Sequence, residues 1–245
     1  RAFQHHARAA VSSLQVGIHG TDSSPSFRFA GNDISHEADR QADLQLRSAL
    51  RACEIPVLSE EDLKESKIER LPDSLYFLID PIDGTYNLWR GLPFVAVSVA
   101  LMRGSEAIFG VVRDVLGGSI YEGGKGLPAT KNGSRITVSA VTSIEQSTLA
   151  SGIPVGIDTS AGSPEDLAMI LNHPGKVRMY GSAALSLCLL AEGCVDIYKE
   201  TGIFIWDVMA GLAIAKAAGA VTFISDYGRA YRRVVRAQSA TLEPR

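Results

Sequence analysis

Leu75-Tyr76-Phe77-Leu78-Ile79-Asp80-Pro81-Ile82-Asp83-Gly84-Thr85 runs an apolar segment straight into two carboxylates three residues apart. Five bulky apolar residues in a row predict a buried strand that ends in Asp80. Pro81 fixes the turn that follows. Gly84 permits a close backbone approach or an unusual φ, and Thr85 can cap whatever comes next. Hard divalent cations take oxygen ligands, and two Asp side chains with a carbonyl between them supply several at one turn. Backbone amides after Gly84 could also hold an anion if a helix or nest begins there. An isolated Asp-x-x-Asp is usually a loop that only caps and hydrogen-bonds. Here the hexapeptide Asp80–Thr85 sits at the end of a buried strand, which favours a functional role.

Working outward, the region around this stretch is β-rich. Val95–Leu101 and Ile108–Val112 predict strands about an Arg103-Gly104 turn, and Ser119–Tyr121 and Arg135–Val138 two more, with Asn132-Gly133 as a hairpin turn. Upstream, Ala38, Ala42, Leu46, Ala49, Leu50 and Cys53 step by threes and fours, one face of a helix, with Pro56 just beyond it. Residues 1–24 are weakly helical before a Gly20–Pro25 loop, and 62–74 read as a surface loop or short helix. Beyond residue 140 the pattern alternates. Strands are expected at Ser147–Ser151, Val177–Tyr180, Val195–Tyr198 and Ala220–Ile224. Helices are expected at Glu165–Asn172, opened by Ser163-Pro164, at Ser182–Glu192, stopped by Gly193, and at Trp206–Ala218, ended by Gly219. The division is therefore 1–140, an α+β part with an antiparallel sheet and the acidic motif, and 141–245, an α/β part that completes the site.

Composition narrows the class. The chain has 245 residues, room for one large domain or two small ones. Hydrophobic residues are 46% and charged residues 21%, which excludes disordered, collagen-like and coiled-coil chains. A net charge of −3 argues against a non-specific nucleic-acid binder. The longest near-apolar stretch, Ala183–Ala191, is half a membrane span, and Arg1–Gly20 lacks a signal-peptide core. Cys53, Cys188 and Cys194, an odd number in apolar contexts, read as reduced core residues of a cytoplasmic protein. The chain starts without Met and stops at Arg245, which leaves room for further native residues at either end.

Two more acidic features matter in combination. Glu60-Glu61-Asp62 follows Leu58-Ser59, and Asp207 follows Ile205-Trp206 at the start of a helix. Each alone is ordinary: a solvated triplet, and an acid placed well for the helix dipole. Together, acids at 60, 80, 83 and 207 arrive from separate parts of the chain, each at the end of an apolar element. Asp80–Thr85, then Asn87, then Leu92-Pro93-Phe94-Val95-Ala96-Val97-Ser98 resembles the first signature of the inositol monophosphatase family. Trp206-Asp207-Val208-Met209-Ala210-Gly211 resembles its second, and Gly181-Ser182-Ala183-Ala184 and Glu200-Thr201-Gly202-Ile203 look like its substrate-contact segments. The similarity runs from about residue 30 to 236, with both signatures in order.

The resemblance implies a five-layered αβαβα sandwich of the sugar-phosphatase type and Mg²⁺-dependent hydrolysis of phosphomonoesters, with two to three ions. It implies that Glu60, Asp80, Asp83, Asp207 and the Ile82 carbonyl bind metal, with Asp39 near a weaker outer site. Thr85 and Glu60 would orient the attacking water, and Asp80 belongs to the same catalytic group. Substrate contacts would come from Asp83, Gly84, Thr85, Gly181, Ser182, Ala183, Glu200 and Asp207. It also implies a homodimer, for which Val95–Leu101 and Ile108–Val112 offer apolar strands, and no nucleic-acid or membrane partner. The chain departs from the family at Ser35-His36-Glu37-Ala38-Asp39, where His36 stands in place of a common Thr, and Arg28 is a candidate for an upstream basic residue. A phosphomonoester is anionic and repels hydroxide, so cations that neutralise it suit this acid set. Glu200 favours inositol monophosphate or a related small polyol phosphate. The alternatives are a nucleotide 3′-phosphatase of the phosphoadenosine phosphate type, a histidinol-phosphate phosphatase and a fructose bisphosphate phosphatase.

Overall fold

The computed structural model describes residues 2–16, 28–30, 33–35, 37–65, 71–153, 170, 172–226 and 231–242. The chain opens with helix α1 (Ala2–Ser13), an antiparallel pair β1 (Arg28–Ala30) and β2 (Asp33–Ser35), and helix α2 (Glu37–Leu50). A seven-stranded sheet follows in sequence order: β3 (Val57–Ser59), β4 (Leu75–Asp83), β5 (Ala96–Arg103), β6 (Glu106–Asp114), β7 (Ile120–Gly124), β8 (Leu127–Lys131) and β9 (Ser134–Arg135). It is antiparallel except where β3 runs parallel to β4. Short helices α3 (Glu60–Glu65) and α4 (Thr85–Arg90) leave the ends of β3 and β4. The second sheet holds β10 (Thr148–Ala150), β11 (Lys176–Arg178), β12 (Ile197–Phe204), β13 (Ala220–Asp226) and β14 (Arg232–Ser239), in the order β11-β10-β12-β14-β13. Helices α5 (Ala183–Ala191) and α6 (Ile205–Ala217) complete the described set.

The period of two in β4 sets the layers. Phe77 and Ile79 face one core with Val97 and Val99, against Ala10 and Val11 of α1 and Ala42 and Leu46 of α2. Tyr76 and Leu78 face the other, shared with α5, α6 and the second sheet. Both faces of β4 are therefore dry, which is why its sequence shows no polar alternation. The Arg113 guanidinium donates to the carbonyls of Val11 and Leu14, at 3.2 and 2.6 Å, and ties the end of α1 to β6. Helices α5 and α6 are apolar almost all round because they lie between two sheets. Among the described residues the order is helices, seven-stranded sheet, helices, five-stranded sheet: a layered α/β sandwich. Leu149, Val177, Ile197, Ile144, Ile170 and Leu242 cluster together, and in the strand pairing Leu149 and Ile197 face away from Ala150 and Tyr198 of the central core. Among the described residues no helix is long and apolar enough to cross a membrane.

Packing of α6 on β6 depends on one missing side chain. A Cβ at Gly110 would lie 2.1 Å from the carbonyl oxygen of Ala210, a backbone atom that cannot swing away. Gly110→Ala is expected to cost about 3 kcal/mol or more, the upper range of overpacking. A urea unfolding curve of unchanged slope that gives a stability loss below about 1 kcal/mol would show that the helix can lift off the sheet.

Several expectations are revised. The strand at Asp80 continues to Asp83, and the strand expected at Val195–Tyr198 runs Ile197–Phe204. Of the strand expected at Arg135–Val138 only Arg135 lies in a strand, the two-residue β9. Strands β8 and β14 carry no clear sequence signal. In β14 the buried Val235, Ala237 and Ser239 alternate, but arginines at 232, 233 and 236 hide the apolar period. Cys53 and Cys188 are buried as expected, whereas Cys194 is exposed, just past the end of α5. Of the strands expected to offer a subunit interface, Val95–Leu101 and Ile108–Val112, all residues but the half-buried Ile108 are already buried within the chain. The Gly20–Pro25 loop, His36, Ser163-Pro164 and most of the helix expected over 165–172 lie outside the described residues, as does the burial of Arg28.

Candidate active site

In a regular strand, residues three apart point to opposite faces. Pairing between β4 and β5 is regular up to Asp80 and resumes at Asp83, with an irregularity between them. That irregularity turns Asp80 and Asp83 toward the same central layer. Asp80 Oδ1 accepts the Ile82 amide at 3.0 Å, a local turn formed around Pro81. Asp207, in the first turn of α6, reaches the same place. One carboxylate oxygen from each of Asp80, Asp83 and Asp207 lies within 4.8 Å of the others.

The remaining acids sit around these three. Glu60, first residue of α3, faces Asp80 through its charge and a side-chain hydrogen bond. Asp39, in the first turn of α2, is 4% exposed and accepts from Thr85 Oγ1 at 3.0 Å. Thr85 Oγ1 is also 3.0 Å from the Ile82 carbonyl. Thr85 is not the helix cap: Gly84 holds that position, in the left-handed region at φ 93°. A Cβ there would lie 2.6 Å from the Phe94 carbonyl, so both conformation and space require glycine.

Asp83 is set by the start of α5. Its Oδ2 accepts from Ser182 Oγ at 2.6 Å and from the Ala184 amide at 2.7 Å, with the Ala183 amide also directed at it. Ser182 caps the helix by accepting from the Leu185 amide. Gly181, Ser182 and Ala183 thus gather at Asp83, and the Ser182 hydroxyl is committed to it. Asn87, part of the first motif, has a role that the sequence alone did not reveal. Its Nδ2 donates to the carbonyls of Phe94 and Tyr180, at 2.8 and 2.7 Å, and locks α4 to the segment before α5. A second unforeseen brace is Arg47, which bonds Asp43 and Asp62, while Asp62 accepts the Ser59 amide at the foot of Glu60.

Burial and mutual repulsion hold Asp80, Asp83, Asp207 and Glu200 above their usual range. Desolvation raises Asp80 strongly, with the charges of Glu60, Asp207 and Asp83 adding to it. Asp207 is raised well up by burial and then by Asp83 and Glu60. Asp83 is pushed to about 6 by desolvation, against the hydrogen bonds from Ser182, Ala184 and Ala183. Glu200 on β12 is 8% exposed and pushed to about 7, by burial first and by Asp83. An all-oxygen, multiply anionic and buried donor set is unfavourable alone and fits a hard divalent cation.

A layered α/β fold with a buried acidic cluster where strand, loop and helix ends meet defines a site able to gather cations and a phosphate. Residues 12–243 match the model of the inositol monophosphatase family. Inositol monophosphatase 1 of Bos taurus is 34% identical over 199 residues, 77% of this chain and 70% of that protein. A fructose-1,6-bisphosphatase/inositol-1-monophosphatase of Aquifex aeolicus is 37% identical over 185 residues, 66% of this chain and 68% of that one. The structure of inositol monophosphatase from Anabaena superposes with a TM-score of 0.78 at 28% identity, covering 98% of this chain and 89% of that one. The chain belongs to the inositol monophosphatase family. It is a phosphoric monoester hydrolase acting on small phosphorylated substrates.

Proposed function

We propose that the chain releases orthophosphate from inositol monophosphate or a related small polyol phosphate, with Mg²⁺ as its cation in two to three sites. The observation that carries the polyol reading is Glu200, a buried carboxylate close enough to feel the charge of Asp83. Above its raised pKa the Glu200 carboxylate is ionised and only accepts hydrogen bonds, so it selects hydroxyl-bearing alcohols and repels a second phosphate. Glu60, Asp80, Asp83, Asp207 and the Ile82 carbonyl would hold the metal, with Asp39 at an outer site. When bound, divalent cations neutralise the phosphoryl charge, lower the pKa of water and stabilise the leaving alkoxide. The chain's own groups do the rest. Gly84 and Thr85 present amides to the phosphate. Thr85 and Glu60 orient the water, with Asp39 able to take a proton through the Thr85 hydroxyl. Gly181, Ser182, Ala183 and Glu200 line the alcohol side, and Ser182 keeps Asp83 aimed.

The name of the Aquifex relative supports a second reading, a sugar bisphosphate as substrate. One panel of inositol monophosphate, fructose bisphosphate, histidinol phosphate and a nucleotide bisphosphate, read by free phosphate, separates them. Inositol monophosphate is expected to lead, and activity to vanish in excess chelator. A lead by the nucleotide or the sugar bisphosphate, or full activity without metal, overturns the assignment. A cytoplasmic setting is proposed from three cysteines that are all unbridged. A homodimer is proposed on family likeness alone, with its interface away from β5 and β6. A division near residue 140 is supported by the order of strands along the chain: the last strand of the seven-stranded sheet ends at Arg135 and the first strand of the five-stranded sheet begins at Thr148.

A further inference from the structure

Two contacts on Glu200 lie outside the hydrolytic machinery. Tyr198, two residues earlier on the same face of β12, donates its hydroxyl to Glu200 Oε2 at 2.9 Å. Tyr198 is fully buried, so this hydroxyl has no solvent to turn to. On the other side Gly152, just past β10, lies against the carboxylate. A Cβ there would sit 2.7 Å from both Oε1 and Oε2. Gly152 is not among the glycines in the left-handed region, so its backbone would accept any residue. What it provides is space. Ser151 Oγ donates to the Lys199 carbonyl at 2.7 Å and pins this strand end beside β12, so Gly152 cannot drift away.

We propose that Tyr198 and Gly152 are positioning residues that hold the Glu200 carboxylate in one orientation toward the alcohol part of the substrate, and so set the preference for polyol phosphates over esters without hydroxyls. The proposal rests on the reading of Glu200 given above. With Oε2 engaged by Tyr198, the second oxygen is left to accept from a substrate hydroxyl. The Tyr198 bond also favours the ionised carboxylate against burial and the charge of Asp83. Asp207, on α6, is the other charge coupled to Glu200. Without the hydroxyl the carboxylate loses its fixed direction. With a methyl at position 152 it must leave its place.

The test compares inositol monophosphate with p-nitrophenyl phosphate, which has no hydroxyl to recognise, at saturating Mg²⁺. Tyr198→Phe and Gly152→Ala are each expected to raise KM for inositol monophosphate about tenfold, the effect of about 1.4 kcal/mol, with kcat changed less than about twofold. p-Nitrophenyl phosphate hydrolysis should be nearly unmoved in both, which also reports that each variant is folded. Glu200→Gln should raise the inositol phosphate KM at least as much, and adding Tyr198→Phe to it should cost little more. If Glu200→Gln raises that KM while Tyr198→Phe and Gly152→Ala do not, the positioning role is wrong and the substrate role of Glu200 stands. If Glu200→Gln has no effect, the substrate role fails and the positioning role falls with it. Equal losses on both substrates would mean that the two residues only support the fold.

Discussion

In a chelating buffer at pH 8, Asp207→Asn is expected to melt about 5 °C above the unsubstituted chain, taking a few degrees per kcal/mol at this size. The same substitution should lower phosphate release at saturating Mg²⁺ by about 10³-fold, the loss typical of removing a fixed electrostatic stabiliser. Both outcomes have one cause. Asp207 is driven well above its ordinary range by burial and by Asp83 and Glu60, and in turn its charge raises Asp80. A carboxylate whose folded pKa is raised gives stability that is complete below its unfolded pKa and lost as pH rises through the folded value. For Asp83 that window runs from about pH 4 to about 6, and for Glu200 from about 4.5 to about 7. At 1.36 kcal/mol per unit, the loss at Asp83 is roughly 3 kcal/mol. The metal-free chain should therefore become less stable from pH 4 to 8, and the neutral amide should flatten that slope. Saturating Mg²⁺ should reverse the order of the two melting temperatures, because ligand bound only by the folded state stabilises it. Melting curves of both proteins at pH 5 and 8, with chelator and with Mg²⁺, decide the matter. Asp207→Asn melting lower than the unsubstituted chain in chelator at both pH values would show that the acids are not in conflict.

That conflict explains why the site was readable in the sequence. Acids at the ends of apolar elements break the local rules for strands and helices, and such breaks concentrate at functional sites. Asp80 and Asp83 stood out because nothing in a buried strand calls for them. Asp207 was visible only beside them, since an acid in the first turn of α6 has an ordinary explanation. The supporting residues were not legible. Asn87, Arg47 and Tyr198 act through partners 93, 15 and 2 residues away respectively, and only the folded chain reveals which pairings count. Gly152 was silent for a different reason: a glycine that serves space rather than a turn has no local signature. In the fold, runs such as Leu75–Ile79 and the stepped apolar positions of Trp206–Ala217 announced their elements. β14 did not, although it pairs on both sides, because arginines at 232, 233 and 236 interrupt the apolar residues Val235 and Ala237 that it buries in the central core.

Removing the Thr85 hydroxyl should cost catalysis without costing metal. Its oxygen stands 3.0 Å from Asp39 Oδ1 and 3.0 Å from the Ile82 carbonyl. A hydroxyl has one proton, so it serves one acceptor at a time and keeps lone pairs for a third group. With the proton toward Asp39, those lone pairs can accept from a water, and the carboxylate stabilises the proton that moves in. Such positioned proton transfer contributes about 10²–10⁴-fold in rate. Thr85→Val keeps the shape and removes only this path, so kcat should fall about 10²-fold with KM and the Mg²⁺ dependence nearly unchanged. Thr85→Ser restores a hydroxyl and should recover most of the rate. Asp39→Asn should fall by a similar factor, and the double variant should be little worse than either alone, because the two groups act as one unit. Asp83→Asn should behave differently, shifting the Mg²⁺ dependence to higher concentration and recovering part of its rate there. The measurement is kcat against Mg²⁺ concentration across the set. Near-normal kcat in Thr85→Val at saturating metal would make the Thr85 hydroxyl a brace between α2 and α4, and would leave the orientation of the water to Glu60.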